Sequence, residues 1–406
     1  MIYQAYQTYS DFTDPFRYAA QAYSKIFFRP WPGGRISKLV TSRLTAANDV
    51  FSRMGLTHAR PPFNIDHVMV NGRQVAVVEE EAFSTPFCTL LHFRKDVRQP
   101  QPRVLLVAPL SGHFATLLRA TVLTMLRDHD VYITDWHNIR DVSIMAGAFD
   151  MECYIDHIIQ CMEYLEAGAH LVAVCQPTVG ALAASAVMAE NNNPALPASI
   201  TLMAGPIDTR VNPTGVNKLA KSKPIEWFER KLIGTVPLRY KGALRRVYPG
   251  FMQISAFVSM NPERHTNAFL DLYRHVVNED DEKANATRAF YEEYFAMMDL
   301  CADFYLQTVR TIFQEHRMPL GTFEYRGRPI DLGAIRRSAL LTVEGERDDI
   351  CAVGQTLAAQ DLCSGIKPMK KRHHVQTGVG HYGVFSGRRW DNEVYPMLRD
   401  FIHLND

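Results

Sequence analysis

The residues of this chain whose types and order could do chemistry together are Cys175, the adjacent acids Asp348 and Asp349, and His381. Cys175 stands in Val174-Cys175-Gln176-Pro177-Thr178, where an apolar run over residues 170–174 stops and a small-residue helical pattern over 179–190 begins. A side chain on such a strand-to-helix turn projects from the carboxyl end of a sheet. The N–H groups of the following helix face any negative charge that forms beside it, so thiolate and oxyanion are both favoured there. Most cysteines of reduced proteins are inert packing; what sets Cys175 apart is its company. A thiolate attacking an acyl carbonyl forms an acyl-thioester if a base shares its proton and a carboxylate fixes that base's tautomer.

The apolar run 339–345 reads as a strand, with Glu346-Arg347-Asp348-Asp349 at its carboxyl end. Only one of the two aspartates can aim at a histidine. The spacing Gly345-x-x-Asp348 favours the first, and Asp349 is expected to cap the following helix. His381 lies in Gly378-Val379-Gly380-His381-Tyr382-Gly383, flanked by glycines, ahead of a final helical pattern. The order nucleophile, acid, histidine, with each residue at a strand end, is that of α/β-hydrolases. An oxyanion hole needs two donors. The N–H of Gln176 is one, and Ser111 in the loop Leu110-Ser111-Gly112-His113 is the choice for the other. His113 is read either as a surface loop histidine or as a substrate contact. Asp135 and Asp208 are strand-end carboxylates read as structural, and Ser185 as packing.

The elements that must hold these residues follow from periodicity. Residues 1–63 look helical, with Phe16, Phe27 and Phe51 among polar neighbours. Asn71-Gly72 between two β-rich runs is a hairpin signal, and 88–93 reads as a further strand. Strand patterns at 104–108, 131–134, 171–174 and 200–203 then alternate with helical patterns at 114–127, 151–167 and 179–190. That is the signature of a mostly parallel central sheet covered on both faces. The alternation stops after Asp208 and resumes at Ala339. The expected organisation is an N-terminal helical extension (1–63), an α/β core (64–211 and 331–406) and a helical cap or lid (212–330). The cap is rich in aromatic residues, which suggests a surface that grips a mobile chain rather than a closed pocket.

Composition excludes several classes. The chain has 406 residues, 47% of them hydrophobic and 21% charged, with a net charge of +1. It can bury a large core and has no global attraction for nucleic acid or acidic membranes. Seven scattered cysteines without a C-x-x-C pair suggest neither a disulfide framework nor a zinc site. No apolar run is long enough to span a bilayer, and the first residues lack the pattern of a secretory signal. A cytoplasmic protein with no metal and no bound cofactor is expected. Ten Lys or Arg lie between Arg210 and Arg246. They read first as a solvated face and otherwise as a contact for an anionic partner.

Several motifs extend the reading: Val107-Ala108-Pro109-Leu110-Ser111-Gly112-His113, the cysteine elbow, Met203-Ala204-Gly205-Pro206-Ile207-Asp208, Arg246-Val247-Tyr248-Pro249-Gly250-Phe251, Thr342 through Ile350, and Gly380 through Trp390. In these the chain resembles the intracellular poly(3-hydroxybutyrate) depolymerases with a cysteine in place of a lipase-type serine, over nearly its whole length. The resemblance implies an α/β-hydrolase fold, a triad of Cys175, Asp348 and His381, and hydrolysis of the ester bonds of amorphous poly(3-hydroxybutyrate). It also implies the polymer granule surface and short 3-hydroxybutyrate oligomers as partners, with granule-coat proteins and a homo-oligomer open. Water and CoA both stand as acyl acceptors. Two rivals are a polyhydroxyalkanoate synthase-like acyltransferase, against which Gln176-Pro177 and Val179 stand where glycines would be expected, and a non-catalytic granule-binding protein.

Overall fold

The computed structural model describes residues 2–26, 35–53, 55–97, 99–260 and 262–406; Phe27 lies outside them. Helices α1 (Ile2–Ile26) and α2 (Arg35–Arg53) come first. Seven strands follow: β1 (His67–Val70), β2 (Arg73–Ser84), β3 (Cys88–Lys95), β4 (Arg103–Val107), β5 (Asp130–Trp136), β6 (His170–Val174) and β7 (Ser199–Met203). Beyond residue 330 come β8 (Ala339–Gly345) and β9 (Lys371–Gln376). They form one nine-stranded sheet in the order β1-β2-β3-β5-β4-β6-β7-β8-β9. The pairs among β1, β2, β3 and β5 are antiparallel. Those from β5 through β4, β6, β7 and β8 to β9 are parallel. This is the α/β-hydrolase fold.

The central strands are apolar without alternation because both faces are covered: all residues of β6, β7 and β8 are buried. Helices α3 (Met151–Leu165) and α4 (Pro177–Glu190) flank β6 in sequence, and α4 is buried from Pro177 to Met188. Small residues let α4 pack closely on every side. Where Gly180 faces α3, a Cβ would come within 2.5 Å of the Tyr154 ring.

Three sequence readings change. The pattern over 114–127 is not one helix; it divides into a 3-10 turn, Ala115–Leu118, and a short helix, Arg119–Met125. The edge strand β9, Lys-Arg-His-His-Val-Gln, was not recognised, since its polar composition gives no strand signal; one sheet edge needs no apolar alternation. The cap, finally, is not purely helical. It contains α5 (Gly215–Lys221), α6 (Ile225–Leu232), α7 (Gly250–Met260), α8 (Pro262–Val277), α9 (Asp281–Tyr294) and α10 (Ala302–Thr308), but also a small sheet in which Arg246–Tyr248 pairs with Gly234–Thr235 and Leu300–Cys301.

The aromatic side chains of this segment are mostly inside it. Tyr291 and Tyr294 build one apolar cluster with Ile254 and Met297, and Phe228 builds another with Ala220 and Val309. Among the described side chains of 212–330, Phe290 is the exposed large aromatic. The expectation of an aromatic outer surface is therefore corrected: these rings stabilise the cap from within, because its short helices have no other core to bury. The exposed aromatic stripe lies instead on α1, at Tyr9, Phe12 and Phe16.

The N-terminal helices are joined to the cap. Asp49 on α2, 2% exposed, accepts from Arg53 and from Arg288 on α9 at 3.0 and 2.9 Å. On α1 the Tyr3 hydroxyl donates to buried Asp299, and Tyr6 stacks on Phe251 with ring centroids 4.2 Å apart. Among the described residues no helix is long and apolar enough to cross a membrane.

Candidate active site

The site forms where β4, β6, β7, β8 and β9 end, because a parallel sheet delivers all its carboxyl-end loops to one edge. Cys175 follows β6 directly and adopts φ +69°, a conformation that disfavours a side chain and is kept where surrounding bonds enforce it. Its N–H donates to the Met203 carbonyl at 2.8 Å. Its own carbonyl accepts from the Thr178 N–H at 3.2 Å and the Thr178 hydroxyl at 2.9 Å. Pro177 occupies the first turn of α4, where its missing N–H costs nothing. Thr178 in turn requires Gly205 opposite, since a Cβ there would sit 1.8 Å from the Thr178 hydroxyl. The elbow and the loop after β7 are thus fitted to each other.

Asp348 ends a turn that leaves β8. One carboxylate oxygen accepts from the N–H groups of Ile350 and Cys351 at 2.9 and 2.8 Å, and the other accepts from His381 Nδ1 at 2.7 Å. Asp349 points to solvent. It does not cap a helix, because the next one begins at Ala358; Asp348 itself ties down the turn. His381 opens a 3-10 turn, His381–Val384, and is 6% exposed. Its ring is hydrogen-bonded on one side to Asp348, and it lines the same cavity as Cys175. Burial alone would pull His381 below the usual histidine range. Electrostatic attraction to Cys175 and the Asp348 hydrogen bond outweigh it and hold the imidazole well above its ordinary value. The fold thus brings Cys175, His381 and Asp348 to one place.

The loop Leu110-Ser111-Gly112-His113 follows β4, the strand beside β6. Ser111 and Gln176 both line a cavity with Cys175 and His381. It encloses about 320 Å³ and is walled largely by apolar side chains from core and cap, among them Leu110, Phe304, Val309 and Phe385. His113 is not a surface histidine. It is 2% exposed, lines the same cavity, and burial lowers its pKa to about 4, so it is neutral at pH 7.

Other candidates lie elsewhere. Asp135 pairs with Arg60 at 3.1 Å, and Asp208 grips Arg210 with both oxygens at 2.8 Å. Ser185 donates to the Ala181 carbonyl inside α4. The basic run does not act as a unit: Arg245 is buried against the carbonyls of Val142 and Ser143, while Arg210, Arg239 and Arg246 pair with acids. No group of three or more His, Cys, Asp or Glu among the described residues could hold a metal ion.

Sequence reading missed two supports. Glu344, fully buried inside β8, accepts from the N–H groups of Gly354, Thr356 and Leu357 at 2.9, 2.7 and 3.0 Å, so it fixes the loop that carries Asp348. A single acid within an apolar strand, Leu341-Thr342-Val343-Glu344-Gly345, was the available signal. Gln253, in the cap, also lines the cavity, and nothing in its local sequence marks it.

The sequence model of the family described as "PHB de-polymerase C-terminus" matches residues 204–406, half of the chain. The match spans Asp348 and His381 and begins after Cys175. No curated protein matches the chain. Solved structures of similar fold include a putative lipase from Acinetobacter baumannii AYE (13% identity over 81% of this chain and 93% of that one, TM-score 0.45). A 2-hydroxy-6-oxo-6-phenylhexa-2,4-dienoate hydrolase from Rhodococcus sp. strain RHA1 is another (15% identity, 81% and 99%, TM-score 0.43). A monoacylglycerol lipase from Paleococcus ferrophilus is a third (13% identity, 76% and 97%, TM-score 0.44).

Proposed function

The chain belongs to the PHB depolymerase family of ester hydrolases, and from that membership we propose that it cleaves ester bonds of amorphous poly(3-hydroxybutyrate) with Cys175 as nucleophile. The observation that carries this reading is Cys175 and His381 together on the wall of an apolar cavity, with Asp348 hydrogen-bonded to His381 behind them. His381 takes the thiol proton of Cys175 as the sulfur becomes the nucleophile. The sulfur attacks the ester carbonyl. The backbone N–H of Gln176 and a donor from Ser111 take the charge that develops on oxygen. Collapse breaks the C–O bond, and His381 gives its proton to the departing alkoxide, leaving a thioester on Cys175. Neutral His381 then takes a proton from water, whose oxygen attacks the thioester, and the hydroxyacid leaves as sulfur regains its negative charge. The thiol of CoA would enter by the same route and release a CoA thioester. Asp348 keeps the imidazole in the tautomer both steps need.

The partners this reading implies are the polymer granule surface and short 3-hydroxybutyrate oligomers, in the cytoplasm, with no cofactor. The test is Cys175→Ala on amorphous granules, followed by turbidity and released 3-hydroxybutyrate. Hydrolysis is expected to vanish while the unfolding midpoint stays near wild type. Undiminished turnover by this variant would remove Cys175 from the chemistry.

A further inference from the structure

Gln176 does more in this site than present a backbone N–H. Its side chain is 8% exposed, lines the cavity beside Cys175, and neither its amide nitrogen nor its amide oxygen has a hydrogen-bond partner among the described residues. A buried amide in a largely apolar wall is a standing loss to the free protein, recovered when something in the cavity pairs with it. Gln253 repeats the pattern from the cap side. Its nitrogen donates to the carbonyls of Tyr248 and Met298 at 3.0 and 3.1 Å, which fixes the amide's orientation and leaves Oε1 as a buried acceptor without a donor. That oxygen lies against Gly112, where a Cβ would be 2.1 Å away, in the loop that also carries Ser111.

The substrate needs to offer oxygen in two places to use these groups. One is the scissile carbonyl, taken by the N–H donors. The other must lie a short way along the acyl chain, still inside the cavity. A 3-hydroxyacyl unit has that second oxygen on its third carbon, and a plain fatty acyl unit does not. Inside a polymer the 3-oxygen is esterified and offers acceptors, which the amide N–H groups of Gln176 can meet. At a chain end it is a hydroxyl, which can also donate to an amide oxygen. We propose that the Gln176 side chain, in the cavity that Gln253 also lines from the cap, is the specificity element that reads the 3-oxygen of the acyl unit. This rests on the ester-hydrolase reading above and names the feature of the substrate that the site selects.

Gln176 is the position to test, because its side chain makes no hydrogen bond among the described residues that a substitution would break; changing Gln253 would also free two cap carbonyls. The probes are p-nitrophenyl 3-hydroxybutyrate and p-nitrophenyl butyrate, which differ at the third carbon alone. The readouts are the ratio of their kcat/KM values and the urea midpoint. Wild type is expected to favour the hydroxy ester. In Gln176→Leu that preference should fall by at least about tenfold, with an equal or higher midpoint, since a buried unpaired amide has been removed. Gln176→Met, of similar length without the amide, carries the same test if the branched side chain disturbs packing. A ratio unchanged in both variants overturns the inference, as does a fall in ratio accompanied by a lower midpoint, which would make the amide a structural group. If wild type cleaves both esters equally, the inference fails and ester hydrolysis stands. If it cleaves neither, the functional reading itself fails and takes the inference with it.

Discussion

Cys175 and Asp348 favour the protonated imidazole of His381, and this sets how the site responds to pH. Its folded value lies well above the ordinary 6.5. Its contribution to stability is therefore fully present below that ordinary value and is lost as pH rises through the folded one. In the proposed reaction the same proton is delivered to the leaving alkoxide, so kcat/KM should persist through neutral pH and decline on the alkaline side. Asp348→Asn removes one of the groups holding the proton. Turnover should drop by about two to four decades and the alkaline limb should move to lower pH, whereas Asp349→Asn should do neither. A pH–rate series on the three proteins checks this, and matching small effects from both variants would take Asp348 out of the mechanism. The thiols give a second residue-scale test. Burial pushes up all six other cysteines, Cys153 to about 11 and Cys161 and Cys363 to about 12. Iodoacetamide at about pH 6.5 should therefore label Cys175 first; peptide mapping that finds another cysteine labelled faster contradicts its role as the nucleophile.

Among the elements, the loop after β8 decides whether the acid stays in place, and Glu344 is what holds it. Glu344→Gln keeps the shape but turns one acceptor oxygen into a donor facing N–H groups. A loss of about 2–3 kcal/mol in urea unfolding is expected, with kcat falling more than KM rises. A variant with unchanged stability would show that the three N–H bonds are replaceable. What could be read in advance follows the same physics. Strands β4, β6, β7 and β8 announce themselves because burial on both faces demands unbroken apolar runs. Cys175 and His381 are visible because a strand-to-helix switch and flanking glycines are local signals. Strand β9, the cap's small sheet and the inward turn of Tyr291, Tyr294 and Phe304 are not visible, because each depends on partners distant in sequence. Gln176 and Gln253 are of this kind too. An unpaired buried amide can be recognised only once the surrounding atoms are placed.

As a whole molecule, the chain ties its N-terminal helices, cap and core into one structure. The links are the buried Asp49–Arg288 pair, Tyr3 with Asp299, and the Gly112 carbonyl accepting from the Met298 N–H at 2.7 Å. The last of these joins the loop carrying Ser111 directly to the cap, so cap position and the cavity wall are coupled. Asp49→Ala leaves the Arg288 guanidinium buried without its acid and should cost about 3 kcal/mol. The loss should appear as an earlier single transition by far-UV circular dichroism and intrinsic fluorescence alike. Two separated transitions would show that cap and core unfold independently.

In the proposed reaction the acyl group passes through sulfur at position 175. The most direct measurement is rapid acid quench of the enzyme during turnover of p-nitrophenyl 3-hydroxybutyrate, followed by peptide mass mapping. The account predicts one 3-hydroxybutyryl group on the peptide containing Cys175, appearing within the first turnover and absent from Cys175→Ala. An acyl group on Ser111, Ser185 or any other residue, formed at the rate of turnover, would contradict it.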